Sequence, residues 1–118
     1  MRIHILGVGG TFMAGIARLA IELGDEVTGS DTTLYPPMSD QLQALGIFVH
    51  QGYEASHIPT NVDYVIVGNV ISRGNPLMEY VMDKHIPYVS APAWLFDNVL
   101  KIDASENQLP FRMYFKIE

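Results

Sequence analysis

His4-Ile5-Leu6-Gly7-Val8-Gly9-Gly10-Thr11-Phe12-Met13-Ala14-Gly15 decides how the chain is read. A short β-rich run, Arg2 to Leu6, stops at Gly7. Beyond the glycines, Ile16, Leu19, Ala20 and Leu23 recur at helical spacing, and Gly24 supplies a C-terminal stop, so a helix is expected over 11–24. Strand, glycine turn and helix in that order open a parallel α/β unit. Glycines let the backbone turn sharply and approach a ligand closely, and a helix N-terminus offers free N–H groups and partial positive charge, which suits a diphosphate. A tight turn with no ligand is the alternative.

The pattern continues outward. Residues 26–30 predict a second strand, and Ser39 is expected to cap a helix carrying Leu42 and Leu45 and ending at Gly46. Further strands are expected over Ile47 to His50, Asp63 to Gly68 (with the apolar run Tyr64-Val-Ile-Val67) and Pro87 to Val89. Asn75-Pro76 is a strong helix start, because asparagine accepts from free N–H groups at the N-cap and proline at the first helical position loses nothing. That helix is expected to end near His85, and Ser90-Ala91-Pro92 to open a last helix through Leu100. The fold class is therefore α/β, a Rossmann-like doubly wound parallel sheet of order 3-2-1-4-5 with right-handed crossovers. Residues 1–100 are expected to form the domain and 101–118 a linker plus an extra C-terminal strand.

Composition narrows the functions. The chain has 118 residues, 48% hydrophobic and 17% charged, which fits one folded domain and not a disordered segment. Thirteen acidic against seven basic residues give a net charge of −6, so nucleic-acid and membrane-surface partners are not expected. With no cysteine, zinc–thiolate sites and thiol catalysis are excluded. No apolar run reaches the roughly 20 residues of a membrane span, and the opening residues lack a signal-peptide layout, so a cytoplasmic location is expected. His4, His50, His57 and His85 show no helical metal spacing, no serine sits in a G-x-S-x-G elbow, and no carboxylate pair can be argued to share a site.

For the ligand, the residues alone leave more than one reading. The dinucleotide fingerprint would put its third glycine at position 12, where this chain has Phe12; that weakens a nicotinamide reading, and Phe12 is either core or the wall of another pocket. Asp31 lies 22 positions after Gly9, near the roughly 20 expected of a ribose-binding acid after the second strand; a solvated turn aspartate is the alternative. The residues therefore indicate a nucleotide diphosphate at the carboxyl ends of the strands.

The run from His4 to Gly15 resembles the opening of the muramyl (Mur) ligases. Val27-Thr28-Gly29-Ser30-Asp31 is similar to the end of their second strand, and Tyr35-Pro36-Pro37-Met38-Ser39, Gly68-Asn69 and Ser72-Arg73-Gly74-Asn75-Pro76 resemble the murein peptide ligase branch of that family. The resemblance covers about residues 1–100. It implies that this domain holds the UDP part of UDP-N-acetylmuramate, which the branch joins to L-alanyl-γ-D-glutamyl-meso-diaminopimelate in peptidoglycan recycling. It puts Gly7, Gly9, Gly10, Thr11, Phe12 and Met13 on the diphosphate and Ser30 and Asp31 near the uridine. Asn69, Ser72, Arg73 and Asn75 fall after the fourth strand, beside the point where strand order reverses. Arg73 either pairs with a phosphate or is an exposed loop arginine; Tyr35 either stacks on the uracil or covers an apolar loop.

The family continues after a region like Trp94-Leu95-Phe96-Asp97 into a P-loop domain. No G-x-x-x-x-G-K-[ST] occurs here, and none of Lys84, Lys101 and Lys116 follows a glycine. ATP and magnesium are therefore expected only in a full-length relative, with no cofactor and no catalytic residue in these 118 residues. Such a chain would bind the sugar nucleotide without catalysing ligation; a nicotinamide-binding domain or a non-catalytic structural fragment are the alternatives. In the tail, Leu109, Phe111, Met113, Phe115 and Ile117 alternate with Pro110, Arg112, Tyr114, Lys116 and Glu118. That alternation predicts a half-buried strand that joins an edge of its own sheet or pairs with a second copy as a homodimer.

Overall fold

The computed structural model describes residues 1–100 except Thr33 and Arg73. The tail strand, the homodimer built on it and the Arg73 assignment lie outside the described residues. Five parallel strands, β1 (Arg2–Leu6), β2 (Glu26–Asp31), β3 (Phe48–Gln51), β4 (Tyr64–Val67) and β5 (Tyr88–Ser90), form one sheet in the order β3-β2-β1-β4-β5. This is the order expected from the alternation of apolar runs. Leu6 pairs with both Ser30 and Val67, so the three central strands end level with one another.

Side chains alternate across the sheet. Ile3, Ile5, Val27 and Ile66 face α1 (Thr11–Glu22), α2 (Met38–Ala44) and α4 (Ala91–Leu95), where Ile16, Ala17, Leu42 and Trp94 complete one core. Leu6 and Val65 face the other way, against α3 (Pro76–Asp83) and a single 3-10 turn (Ala55–His57) that makes the β3–β4 crossover. Trp94 is buried, and its indole N–H donates to Tyr64 Oη at 2.6 Å. Asn75 caps α3, its Oδ1 accepting from Leu77 N at 3.0 Å and Met78 N at 3.1 Å. Among the described residues no helix is long and apolar enough to cross a membrane.

The first three helices end two residues short of the expected stops, at Glu22, Ala44 and Asp83, and two boundaries differ for a visible reason. Ser39 does not cap α2: the helix begins at Met38 with Pro37 at its N-cap, because Pro37 already adopts a helical backbone (φ −86°, ψ −9°) and its carbonyl accepts from Gln41 N at 3.0 Å. The last helix stays α only to Leu95 and widens into a π-helical turn over Phe96–Leu100. There the Asn98 side-chain amide donates to the Trp94 carbonyl at 2.9 Å, competing for the acceptor that α geometry would give to the Asn98 backbone.

Gly29 is where the sheet and the glycine turn meet most tightly. A Cβ on Gly29 would lie 2.7 Å from Val8 Cγ1 and 2.9 Å from Val8 Cβ, and Val8 is buried and β-branched. Gly29→Ala is expected to lower the unfolding free energy by about 1–3 kcal/mol through overpacking, read as a lower urea midpoint at unchanged m-value.

Candidate functional site

At the carboxyl ends of the strands, where the order reverses between β1 and β4, the surface opens into a cleft of about 650 Å3. Gly7 turns the chain out of β1 at φ +82°, a conformation that favours glycine. Gly10 is the N-cap of α1 and makes no side-chain cap. The amides of Thr11, Phe12 and Met13 therefore begin the helix without intrahelical acceptors, and all three residues line the cleft.

Asp31, at the end of β2, ties the cleft together. Its Oδ2 accepts from Gly9 N at 2.6 Å. Its Oδ1 accepts from Thr32 N at 2.7 Å, Thr32 Oγ1 at 3.3 Å and Tyr53 Oη at 3.2 Å. Its main-chain carbonyl accepts from Gly52 N at 2.6 Å. A carboxylate has about four lone-pair sites, so a ligand hydroxyl reaching Asp31 would have to compete with donors already there. Gly9 must be glycine: a Cβ would run into the Leu34 side chain and sit 2.7 Å from Asp31 Oδ2.

The cleft gathers Gly7, Gly9, Gly10, Thr11, Phe12, Met13, Asp31, Asn69 and Asn75 from the sequence-read set. Phe12 is half exposed in the cleft wall and outside the helix–strand contact that the fingerprint glycine serves. Because Asn75 Oδ1 is engaged by the α3 amides, its side-chain NH2 is the group left for a ligand. Three sequence-read residues fall elsewhere. Ser30 is fully buried on the opposite sheet face, bonded to His4 and His57. Tyr35 is 72% exposed and, like exposed Ser72, does not line the cleft. Sequence reading missed Thr32, Leu34, Tyr53, Val70 and Ile71. Of these, Tyr53 follows β3 at Gly52, and the end of a parallel strand is itself a signal for this rim. At Thr32 and Leu34 the cleft meets a neighbouring groove of about 390 Å3 with Leu42, Ile47 and Val49 in its lining.

Two groups are electrostatically displaced. Burial first, and then the Asp31 carboxylate, push the Tyr53 phenol up to about 12. Burial, then the neighbouring His50 and His57 rings, push His4 down to about 3.

Comparison with known proteins follows this geometry. Residues 2–100 match the family model described as "Mur ligase family, catalytic domain". The chain belongs to the Mur ligase family. It is 57% identical over 101 residues to the UDP-N-acetylmuramate–L-alanyl-gamma-D-glutamyl-meso-2,6-diaminoheptandioate ligase of Escherichia coli (strain K12), a match covering 86% of this chain and 22% of that protein. The ligase of the same name from Haemophilus influenzae (strain ATCC 51907 / DSM 11121 / KW20 / Rd) is 48% identical over 99 residues, covering 84% of this chain and 22% of the relative. The crystal structure of UDP-N-acetylmuramate:L-alanyl-gamma-D-glutamyl-meso-diaminopimelate ligase from Neisseria meningitides superposes with a TM-score of 0.81 at 48% identity, covering 84% of this chain and 31% of that one. The matched region is thus about a fifth of the curated relatives' length.

The displaced histidine yields a stability prediction. An unfolded chain's histidine takes its proton near 6.5 and folded His4 only near 3, so between those values the unfolded state binds more protons. Stability therefore falls as pH drops from about 6.5 towards about 3. The urea midpoint should decline over that window, and less steeply in His4→Gln than in the parent.

Proposed function

We propose that residues 1–100 bind the UDP portion of UDP-N-acetylmuramate for an ATP-dependent Mur ligase that attaches a peptide to the muramate carboxylate. The observation that carries this reading is the cleft itself. An uncapped helix N-terminus and three turn glycines stand at the topological switch of a parallel sheet, in a chain of the Mur ligase family. The amides of Thr11 to Met13 suit a diphosphate, since N–H groups and helix dipole both favour negative charge. Asp31 is the only charged residue among the described residues lining the cleft, so backbone dipoles are assigned the main share of phosphate binding. The nucleoside then runs towards Thr32, Leu34 and Tyr53. Arg73 keeps its place in the proposal as a phosphate partner by resemblance alone. The names of the similar ligases support a murein tripeptide as the second substrate.

ATP and magnesium serve the ligation as a whole by activating the carboxylate. These 118 residues contain no P-loop run to cradle ATP phosphates, and among the described residues no group of three His, Asp or Glu is arranged to hold a metal ion. The role assigned to this chain is therefore to bind and orient the sugar nucleotide. A nicotinamide dinucleotide is disfavoured by the sequence, which has Phe12 at the position where the fingerprint has its third glycine.

Titration calorimetry is expected to show tighter binding of UDP-N-acetylmuramate than of NADH; equal or tighter NADH binding would overturn the reading. Asp31→Ala should weaken UDP-N-acetylmuramate binding by about 1–3 kcal/mol by leaving Gly9 N–H and Tyr53 O–H without their acceptor. An unchanged dissociation constant in a folded variant would remove Asp31 from the site.

A further inference from the structure

Behind the cleft, on the face of the sheet that carries the 3-10 turn, a chain of side-chain hydrogen bonds crosses three elements. His4 on β1 is fully buried, its Nδ1 2.6 Å from Thr28 Oγ1 and its Nε2 2.8 Å from Ser30 Oγ, both on β2. Ser30 Oγ is also 3.2 Å from His57 Nδ1 on the 3-10 turn. The backbone N–H of Glu54 points at the same His57 nitrogen from 3.4 Å, as half of a capping box whose other half is the Glu54 carboxylate accepting from His57 N.

That amide fixes every proton in the chain of bonds. A backbone N–H can only donate, so His57 Nδ1 is bare and accepts. Ser30 has one hydroxyl proton and donates it to the same nitrogen. Ser30 then accepts from His4 Nε2–H, and His4 presents a bare Nδ1 to the Thr28 hydroxyl. Both histidines are neutral Nε2–H tautomers, and the three side-chain bonds run one way, from Thr28 through His4 and Ser30 to His57, where the Glu54 N–H meets them from the turn.

Two members of this relay are chain neighbours of cleft residues. Ser30 precedes Asp31, and Glu54 follows Tyr53. The segment from Gly52 to His57 is held to β2 by Gly52 N to the Asp31 carbonyl, Tyr53 Oη to the Asp31 carboxylate, and Ser30 Oγ to His57. Resting on the UDP-sugar reading above, we infer that His57 is a positioning residue: its unprotonated Nδ1 holds Tyr53 in the cleft wall on Asp31, and a proton taken up there frees the segment and weakens ligand binding. The mechanism is a reversal of polarity. A proton on Nδ1 sets an N–H against the Glu54 N–H, and it removes the acceptor of the Ser30 hydroxyl, whose oxygen already accepts from His4.

The groups around His57 are these. From β3, His50 stacks on it with ring centroids 4.3 Å apart and planes 12° from parallel. His4 from β1 and Asp31 from β2 lie one residue away through Ser30 and Tyr53. Glu54 is on the turn itself, and α3, which packs against the turn, carries Glu79, Tyr80 and Asp83. His50 is held below the usual imidazole range, by burial and then by His57. His4 stays neutral down to about 3. His4 therefore contributes no charge that would mimic the effect at mildly acidic pH.

The test measures UDP-N-acetylmuramate binding by calorimetry between about pH 8 and about pH 5, the interval in which imidazoles take up their proton. Neither a diphosphate diester nor a carboxylate changes charge over it. The parent chain should lose about tenfold in affinity. His57→Asn, whose side-chain oxygen accepts near the Nδ1 position and takes no proton, should lose this pH dependence and bind more tightly than the parent at pH 5. His57→Ala should bind weakly at both pH values. Parallel decline of the parent and His57→Asn would overturn the inference. Nitrogen-15 NMR of the free chain judges the relay even if UDP-N-acetylmuramate proves not to be the ligand. His57 Nδ1 should be unprotonated at pH 8, and the Tyr53 ring resonances should shift with the same midpoint as His57. A Nδ1–H tautomer, or a Tyr53 ring that does not follow, would overturn it.

Discussion

One carboxylate organises the ligand-facing end of this molecule. Asp31 receives donors from the glycine turn after β1, from the segment after β2 and from the segment after β3, all within 3.3 Å. Those three segments share no continuous chain, and parallel pairing alone brings them level. The carboxylate converts that adjacency into fixed geometry, because each donor it holds would otherwise be an exposed amide or hydroxyl free to turn towards water. The glycine at position 9 follows from the same constraint: Asp31 Oδ2 comes too close for any side chain there. Glycine-rich turns are usually explained by room for a ligand. Here room for the protein's own carboxylate is a requirement of equal force.

Successive residues of a strand point to opposite faces, so Asp31 and Ser30 divide the work of β2. Asp31 faces the cleft, and Ser30 faces buried His4 and half-buried His57. A change at either face is one peptide unit from the other. The close packing around Ser30, fully buried between His4 and the turn, makes that unit stiff. Neutral histidine suits this place, since it both donates and accepts and so links two hydroxyls in a site where a charge would be costly to bury.

The fold was legible because its signals are local. Glycine after an apolar run, helical spacing after the glycines and Asn75-Pro76 at a helix start each state their structure within a few residues. The helix boundaries that went astray depend on less local facts: Pro37 already lies in helical backbone, and the Asn98 amide competes for the Trp94 carbonyl. In the cleft, the glycine turn was legible for the same local reason, while Tyr53 was not. It comes 22 residues after Asp31 in sequence and meets it only because β3 pairs with β2 in the register Asp31↔Gln51. Ser30 is a different case. Val27 is plainly a core residue, and counting by twos along β2 puts Asp31 on its side and Ser30 on the other. The phase of the alternation is present in the sequence, whereas the family resemblance alone places Ser30 near the uridine.

The electrostatics of the cleft follow from the same arrangement. A chain of net charge −6 attracts no anion by its overall field. Among the described lining residues its one formal charge is negative, and that charge is satisfied by neutral donors and not by a cation. Those donors spread part of the carboxylate's charge into the protein's own dipoles, with Gly9 N–H directed at it and away from any phosphate. Gly10 N donates to the Gly7 carbonyl at 3.5 Å, and the amides of Thr11 to Met13, at the start of α1, are left without intrahelical acceptors beside the cleft. Neighbouring backbone amides thus divide their roles, Gly9 N–H turning to Asp31 and Gly10 N–H to the Gly7 carbonyl, while those of Thr11 to Met13 keep no intrahelical acceptor. Gly7 and Gly9 answer different needs in that turn, a positive φ at the first and room for the Asp31 carboxylate at the second.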